Sequence, residues 1–525
     1  MAGTPLVAEQ IRATVDARPH AACVVTDTEL LTYLQVWDRA GELAEQLRRL
    51  GVGRGHKVAV LSPNSVDCVV AMVALVRSGA AWLPINNRES RTTIGDVLTR
   101  FGCHALLVAP ELAGEAGPLS DAVPSLAVAI EIGSRRELLA TPVPAADPDD
   151  LDLAAVFTTG GTTGVPKGVA FSAPRLAALI RGYYEVLAAP DDVYLAAAPL
   201  THVGGRICLG VLASGGTIAV LPAFEPGAVL TAIERHRVTA TTLTSTMLYR
   251  LLDHPEIRTR DTSSLRALAF GAGPTALSRI KEALEVFGPV LESGYGQTEA
   301  PMLIARLRPD EFVDPAGRPV DDARLASVGR PTSWCDVLVV DDDGHALPAS
   351  ETGEILVRGE FTMSGYYRAP ELTQARRCGA YWRTGDVGRF DAEGRLTIVG
   401  RKTDLIITGG FNVYPAEVEN AAMELAEVAE CAVFGVPDPE WGETVALVAV
   451  PQPGMVMDID ALRTHLRHRL GGVKTPKLIH LAEGLPRNEN GKLLKRLIAD
   501  RFAADLPPAD RCRPSHVTAD VEERS

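Results

Sequence analysis

At 525 residues the chain is too long for one hydrophobic core, since single cores stop growing at roughly 250 to 300 residues. Apolar residues make up 46% and charged residues 22%, a globular balance that excludes a largely disordered protein. A formal net charge of −14 supplies no positive field for nucleic acid or anionic lipid, which leaves only a local basic pocket for a phosphorylated ligand.

The opening stretch MAGTPLVAEQIRATVDARPH mixes polar and apolar residues, and no run of about 18 apolar residues follows anywhere. Neither a signal segment nor a membrane span is expected, and the default location is the cytoplasm. Val36, Ala40, Leu43, Ala44, Leu47 and Leu50 recur at three- and four-residue steps before Gly51, which predicts a helix over 36–50. A strand-like run at 58–61, a helical pattern at 66–76 closed by Gly79, and a second strand-like run at 81–85 follow. This alternation favours an α/β sheet with helices on its faces. It returns at 193–197, 216–221, 240–243 and 265–270, so that most of the chain reads as one large α/β region of two subdomains. After Asp336 the pattern changes to short β-rich runs at 337–340, 354–357 and 395–399, separated by turns such as Asp343-Gly344 and Glu393-Gly394. Beyond Thr403 a small α+β domain is predicted, with helices near 415–425 and 459–470 and strands near 431–436 and 445–450; residues 505–525 read as a loose tail. Cys23, Cys68, Cys103, Cys208, Cys335, Cys378, Cys431 and Cys512 form no CxxC pair, and most read as buried reduced thiols, Cys208 as core and not as a nucleophile.

The strongest chemical signal is TTGGTTGVPKG at residues 158–168, placed on a loop after the apolar run 153–157. Gly160, Gly161 and Gly164 let backbone approach a ligand closely, while the loop amides and the hydroxyls of Thr159, Thr162 and Thr163 are donors for phosphate oxygens. It is not a Walker A loop, because Pro166 and not glycine precedes Lys167. The loop resembles the signature of the adenylate-forming superfamily of acyl-CoA synthetases, peptide-synthetase adenylation domains and luciferases. Its TGGTTG form is most similar to that of fatty-acyl-CoA ligases.

Further motifs follow in the order the resemblance requires. GAGP at 271–274, with Gly271, Ala272 and Gly273, matches the family's adenine-binding turn. YGQTE at 295–299 matches the family's YGxTE, which implies that Tyr295 stacks on adenine, Gly296 belongs to the same nucleotide site, Thr298 reaches the α-phosphate and Glu299 holds magnesium. Magnesium's preference for hard carboxylate and phosphate oxygens supports that role. YWRTGD at 381–386 implies that Asp386 accepts the ribose hydroxyls, and Arg401 corresponds to the family arginine near ribose and phosphate; alone, both would read as structural ion-pair residues. Lys492, in PRNENGK, matches the mobile lysine that neutralises charge at the reacting carboxylate and α-phosphate. The implied organisation is an adenylation domain over 1–401, a mobile C-terminal domain over 402–504 and a tail over 505–525.

The segment 400–415, GRKTDLIITGGFNVYP, resembles the superfamily's hinge and post-hinge loop, where Gly409 and Gly410 would line a thiol tunnel after the small domain turns. Two positions depart from the family. The hinge residue is Thr403 in place of the usual Asp or Lys, and Val473 stands before Lys474 where CoA ligases often carry an aromatic residue. Trp441 offers either a stacking face or a core tryptophan. PLTHVGG at 199–205 resembles the acyl-channel gate, which puts His202 in the lining; Arg206 reads first as outward-facing, and otherwise as a partner for a polar or anionic substrate tail. Thr244, Ser245 and Met302 give a mixed lining. The resemblance implies ATP- and magnesium-dependent conversion of a carboxylic acid to an acyl adenylate, then transfer to CoA. The alternatives are another acceptor (a carrier-protein thiol, an amine, or an aryl amine with activated nitrite) and a non-catalytic homologue. The joint presence of Lys167, Glu299, Asp386, Arg401 and Lys492 argues against the last.

Overall fold

A computed structural model of the chain describes residues 6–159, 166–186, 189–201, 203–271, 273, 275–487 and 493–505. The helix predicted over 36–50 runs Tyr33–Arg49, starting earlier than periodicity suggests because Thr32 caps it. The Gln35 amide donates to Thr32 Oγ1 at 3.3 Å while the Thr32 amide donates to Gln35 Oε1 at 2.8 Å, a reciprocal capping box. Val66–Ser78 is stopped by Gly79, whose φ of 73° suits only a residue without Cβ strain.

The chain divides into two compact units: Met1–Thr275 with Arg279–Thr384 and Gly388–Thr397, and Ala276–Ser278 with Gly385–Val387 and Ile398–Ser525. The first unit contains two large sheets. One is eight-stranded, in the order Gly365–Tyr366, Lys167–Ser172, Leu153–Thr159, Ala81–Pro84, Lys57–Leu61, Ala105–Val108, Val128–Glu131 and Glu137–Ala140. Its central strands pair in parallel and are buried on both faces, which is why they read as unbroken apolar runs without alternation. The other is nine-stranded, in the order Arg330–Pro331, Ala300–Leu307, Leu291–Gln297, Ala267–Gly271, Ala240–Thr244, Val193–Ala196, Thr217–Val220, Ala22–Val25 and Leu30–Thr32. A five-stranded sheet holds Asp336–Val340, Gly353–Arg358, Tyr381–Phe390 and Arg377–Cys378, with Leu396–Arg401 beside Tyr381–Phe390; along Leu396–Arg401 the chain passes into the second unit.

The second unit is built on Phe411–Val413, Ile406–Thr408, Gly442–Pro451 and Val428–Asp438, with Leu478–Leu481 parallel to Gly442–Pro451. Strand alternation sorts its core onto two faces. Val433 and Leu447 pack with Val418 of Pro415–Ala422 and with Leu462 and Leu466 of Ile459–Lys474. Ala432, Phe434 and Val448 pack on the other face against Ile498 and Phe502 of Lys495–Asp505, a helix that the sequence reading did not anticipate. The backbone of Ile459–Lys474 breaks at Gly471, with φ 76° and ψ 173°, near where periodicity ends the helix. Residues 506–525, in the predicted tail, lie outside the described residues. No described helix is long and apolar enough to cross a membrane.

Candidate active site

The sequence places the Gly/Thr motif on a loop after a strand; the structure makes it the turn of a hairpin. Leu153–Thr159 returns antiparallel as Lys167–Ser172, with Thr158 opposite Gly168 and Thr159 opposite Lys167. Thr159 and Lys167 therefore face each other across the hairpin neck, while Gly160, Gly161, Thr162, Thr163 and Gly164 lie outside the described residues. Gly168 is required by packing: a Cβ there would stand 2.5 Å from Phe101 Cε1 and 2.8 Å from Val156 Cγ1. The outer edge of the hairpin is covered by Gly365–Tyr366, whose Tyr366 pairs with Val169.

Tyr366 links the hairpin to the YGQTE segment. Its hydroxyl donates to Glu299 Oε1 at 2.7 Å, and the Met363 amide donates to the Glu299 carbonyl at 2.8 Å. Burial, and then the Glu299 charge, push the Tyr366 phenol up, so it stays a donor. Thr298 and Glu299 form the turn between Leu291–Gln297 and Ala300–Leu307, with Gln297 opposite Ala300 and Tyr295 buried opposite Ala305. Gly296 lies within the first of these strands. Tyr366 was not legible in the sequence, since no spacing rule connects it to a carboxylate 67 positions earlier.

The GAGP turn leaves the nine-stranded sheet at Gly271, the last residue of its strand. Ser245 Oγ donates to the Gly273 carbonyl at 3.1 Å and meets Thr275 Oγ1 at 2.7 Å, while Thr244 Oγ1 accepts from the Met247 amide at 3.2 Å. Both hydroxyls, expected in the substrate lining, are spent on holding backbone. Ala272, His202 and the Met302 side chain lie outside the described residues. The chain ahead of His202 is fixed by Asn64, which donates to the carbonyls of Ala196 and Ala198 at 3.3 and 3.0 Å and accepts from the Leu200 amide at 2.8 Å.

Arg206 corrects the sequence reading. It was expected to face outward, but it is 4% exposed on Val203–Ser214, a helix buried from Gly204 to Leu212. A helix apolar on every side is a buried helix, and the run Gly204, Gly205, Ile207, Cys208, Leu209, Gly210 was the signal that could have revealed it. Cys208 is buried there as expected, with its thiol pushed up by desolvation.

In the second unit Asp386 is buried and its Oδ1 lies 3.1 Å from Arg401 Nε, so the two residues assigned to ribose are brought together. Thr403 Oγ1 donates to Asp404 Oδ1 at 3.0 Å within the short turn Lys402–Asp404. Gly409 and Gly410, with φ of 58° and 80°, form a two-residue turn between Thr408 and Phe411, a conformation that two left-handed residues require. Trp441 packs against this turn: its carbonyl accepts from the Gly409 amide at 2.8 Å, and a Cβ on Gly409 would stand 2.6 Å from the indole. Trp441 is neither core nor an open stacking face. It is 41% exposed and Lys477 Nζ sits 4.0 Å from its ring centre. Val473 is exposed, and the neighbouring Lys474 pairs with Glu417 at 2.7 Å. Lys492 lies outside the described residues; on either side of residues 488–492, Arg487 and Leu493 form an antiparallel bridge.

The AMP-binding enzyme family model matches residues 11–367, and the AMP-binding enzyme C-terminal domain matches residues 417–492. A feruloyl-CoA synthase of Amycolatopsis sp is 36% identical over 92% of this chain and 96% of its own length. A medium/long-chain-fatty-acid–CoA ligase of Mycobacterium tuberculosis is 33% identical over 90% of this chain and 86% of its own. Among solved structures, an amide bond synthetase from Marinactinospora thermotolerans has a TM-score of 0.85 at 33% identity, covering 94% of this chain and 100% of that one. ATP-bound MatB from Rhodopseudomonas palustris has a TM-score of 0.82 at 28% identity, covering 94% and 99%. The chain belongs to the AMP-binding enzyme family, the adenylate-forming ligases.

Proposed function

We propose that the chain joins a carboxylic acid to AMP at the expense of ATP and passes the acyl group to a thiol, CoA in the first reading. The observation that carries this is the join in the first unit: the Thr159/Lys167 hairpin is flanked by the strand of Tyr366, and Tyr366 holds Glu299. In the first step a carboxylate oxygen attacks the α-phosphorus and the bond to pyrophosphate breaks; in the second a thiolate attacks the acyl carbon and AMP leaves. No protein nucleophile is needed, so catalysis lies in holding two anions together and neutralising them. Lys167 and the Gly/Thr loop take the phosphates, Gly271 and Gly273 with Tyr295 take the adenine, Thr298 the α-phosphate, and Lys492 the developing charge. The Glu299 carboxylate, a hard oxygen donor fixed by Tyr366, suits magnesium, which would neutralise the departing pyrophosphate. Asp386 and Arg401 take the ribose, and residues 402–504 turn about Thr403 to present Gly409 and Gly410 to the thiol.

A second reading keeps the adenylate and changes the acceptor to an amine, a carrier-protein thiol, or an aryl amine attacking activated nitrite. It is supported by the 33% identity to an amide bond synthetase and by the absence of an aromatic residue at Val473. Pyrophosphate release that needs ATP, magnesium and an acid tests the common first step, and Lys492→Ala is expected to abolish it. The lack of pyrophosphate release with every candidate acid and with nitrite would refute both readings. Mass analysis of the product formed beside AMP separates thioester from amide or diazo product.

A further inference from the structure

Arg206 is more than buried. Its Nε and Nη1 have no hydrogen-bond partner among the described residues, and the same holds for Trp82 Nε1 and the Tyr183 hydroxyl. Trp82 and Tyr183 both pack against the helix that carries Arg206. Gly205 and Gly210 bracket Arg206 on its helix, and Cβ atoms on them would stand 2.8 Å from Trp82 Cη2 and 2.8 Å from Tyr183 Cβ respectively. Trp82 lies opposite Ala155 in the eight-stranded sheet, Phe157 is two residues further on the same face, and the two rings meet edge-on at 5.5 Å. The Arg206 guanidinium sits 4.5 Å over the Phe157 ring.

Folded proteins satisfy nearly all buried polar groups, and an orphaned one is costly, more so when charged. A ring face returns only part of the desolvation cost of a cation and satisfies none of its N–H donors. No carboxylate among the described residues forms an ion pair with Arg206. Glu299 is close enough to favour its charged form, yet that carboxylate already accepts from Tyr366. Residues 160–165 and 202, outside the described residues, contain no acid in their sequence. Arginine and indole N–H groups are donors only, so the missing partner must offer acceptors to several sides and carry negative charge. A planar carboxylate-like oxyanion meets both conditions and matches a guanidinium edge.

We infer that Arg206, Trp82 and Tyr183 form a buried receptor for a planar oxyanion beside the adenylation site. Phe157 lies two residues before Thr159 on the strand that enters the Gly/Thr loop, and Arg206 is the fourth residue after His202 in the sequence. The inference rests on the adenylation reading for the location of the reacting carboxylate. The oxyanion has two possible sources, a second carboxylate at the far end of the substrate acid or free nitrite.

The test uses the full chain with ATP and magnesium, comparing α,ω-dicarboxylic acids with their monomethyl esters, and adding nitrite alone as a separate arm. Wild type is expected to favour the diacid over its ester by at least about 100-fold in kcat/KM, and Arg206→Met to collapse that ratio. Tyr183→Phe, which removes one donor and keeps the ring, and Trp82→Phe, which removes one donor and leaves a smaller aromatic side chain, are expected to lower the same ratio several-fold and serve if Arg206→Met does not fold. Pyrophosphate release driven by nitrite alone and lost in Arg206→Met assigns the free ion as the source. Equal use of diacid and ester with no nitrite-driven release, or a uniform loss on both in the variants, overturns the receptor and leaves adenylation standing. If no acid or nitrite is turned over, thermal unfolding still decides: malonate or nitrite is expected to raise the wild-type midpoint over chloride of equal ionic strength, and an equal rise in Arg206→Met overturns the receptor.

Discussion

Lys57 and Arg206, both buried in the first unit, are held in opposite ways. Lys57, 2% exposed, donates to Asp150 Oδ2 at 2.6 Å; Asp150, also buried, accepts in addition from the Tyr367 hydroxyl at 2.8 Å. Arg206 has an aromatic face and electrostatic neighbours, but among the described residues its Nε and Nη1 have no acceptor. A buried charge is retained for structure when its counter-charge is built in, and Lys57 fits that case. Where the protein supplies no acceptor for a buried cation, the partner has to come from solution. The neighbouring tyrosines show the same division of labour: Tyr367 serves the structural pair, Tyr366 the candidate metal carboxylate.

The largest effect is expected where the pair is broken from one side. Lys57→Met leaves Asp150, among the described residues, with Tyr367 and the exposed Arg368, 3.5 Å away, and should cost about 3–5 kcal/mol in denaturant unfolding. A loss under about 1 kcal/mol would place Lys57 and Arg206 in one class and dissolve the contrast. Next comes His104, whose Nδ1 accepts from the Lys57 amide at 3.1 Å. Burial, and then the Lys57 charge, push its imidazole down to about 4. The unfolded chain binds the proton first, so the stability gained from a neutral His104 is complete above pH 6.5 and is lost as pH falls toward 4, by about 3 kcal/mol. His104→Gln should flatten that acid limb in thermal melts at stepped pH; an unchanged limb assigns it to other groups.

What could be read in the sequence was what is local. Period and caps set Tyr33–Arg49 and Val66–Ser78, and unbroken apolar runs set the parallel strands. The Gly/Thr, GAGP, YGQTE and RTGD motifs are contiguous strings and were found as such. The pairings that give these strings their surroundings join residues far apart: Lys57 to Asp150 across 93 positions, Tyr366 to Glu299 across 67. No periodicity encodes such a meeting. Arg206 was misread because an arginine is usually exposed; the glycines around it, which let Trp82 and Tyr183 close on the helix, matter more than its own type.

A smaller effect is expected at Tyr366. Tyr366→Phe removes one hydrogen bond to a charged group, about 1.5–3 kcal/mol, while keeping the ring in place. If Tyr366 positions Glu299 for magnesium, the ion concentration for half-maximal pyrophosphate release should rise roughly 10-fold or more. A purely structural hydroxyl would lower stability and leave that magnesium dependence where it was.

The smallest change in stability is expected at Arg206 itself, and it is the one that separates the two cations most cleanly. Removing Lys57 strands an anion; removing Arg206 strands none, because no carboxylate among the described residues is paired with it. Arg206→Met deletes a desolvated charge and unpaired donors, and fills similar volume with apolar atoms against Phe157. Replacing buried charge by apolar side chains of similar size is often neutral or stabilising. The denaturation midpoint in the absence of substrate should therefore stay within about 1 kcal/mol of wild type or rise. A loss of about 3 kcal/mol or more would mean that the guanidinium is held by structure, as Lys57 is, and not kept for an incoming oxyanion.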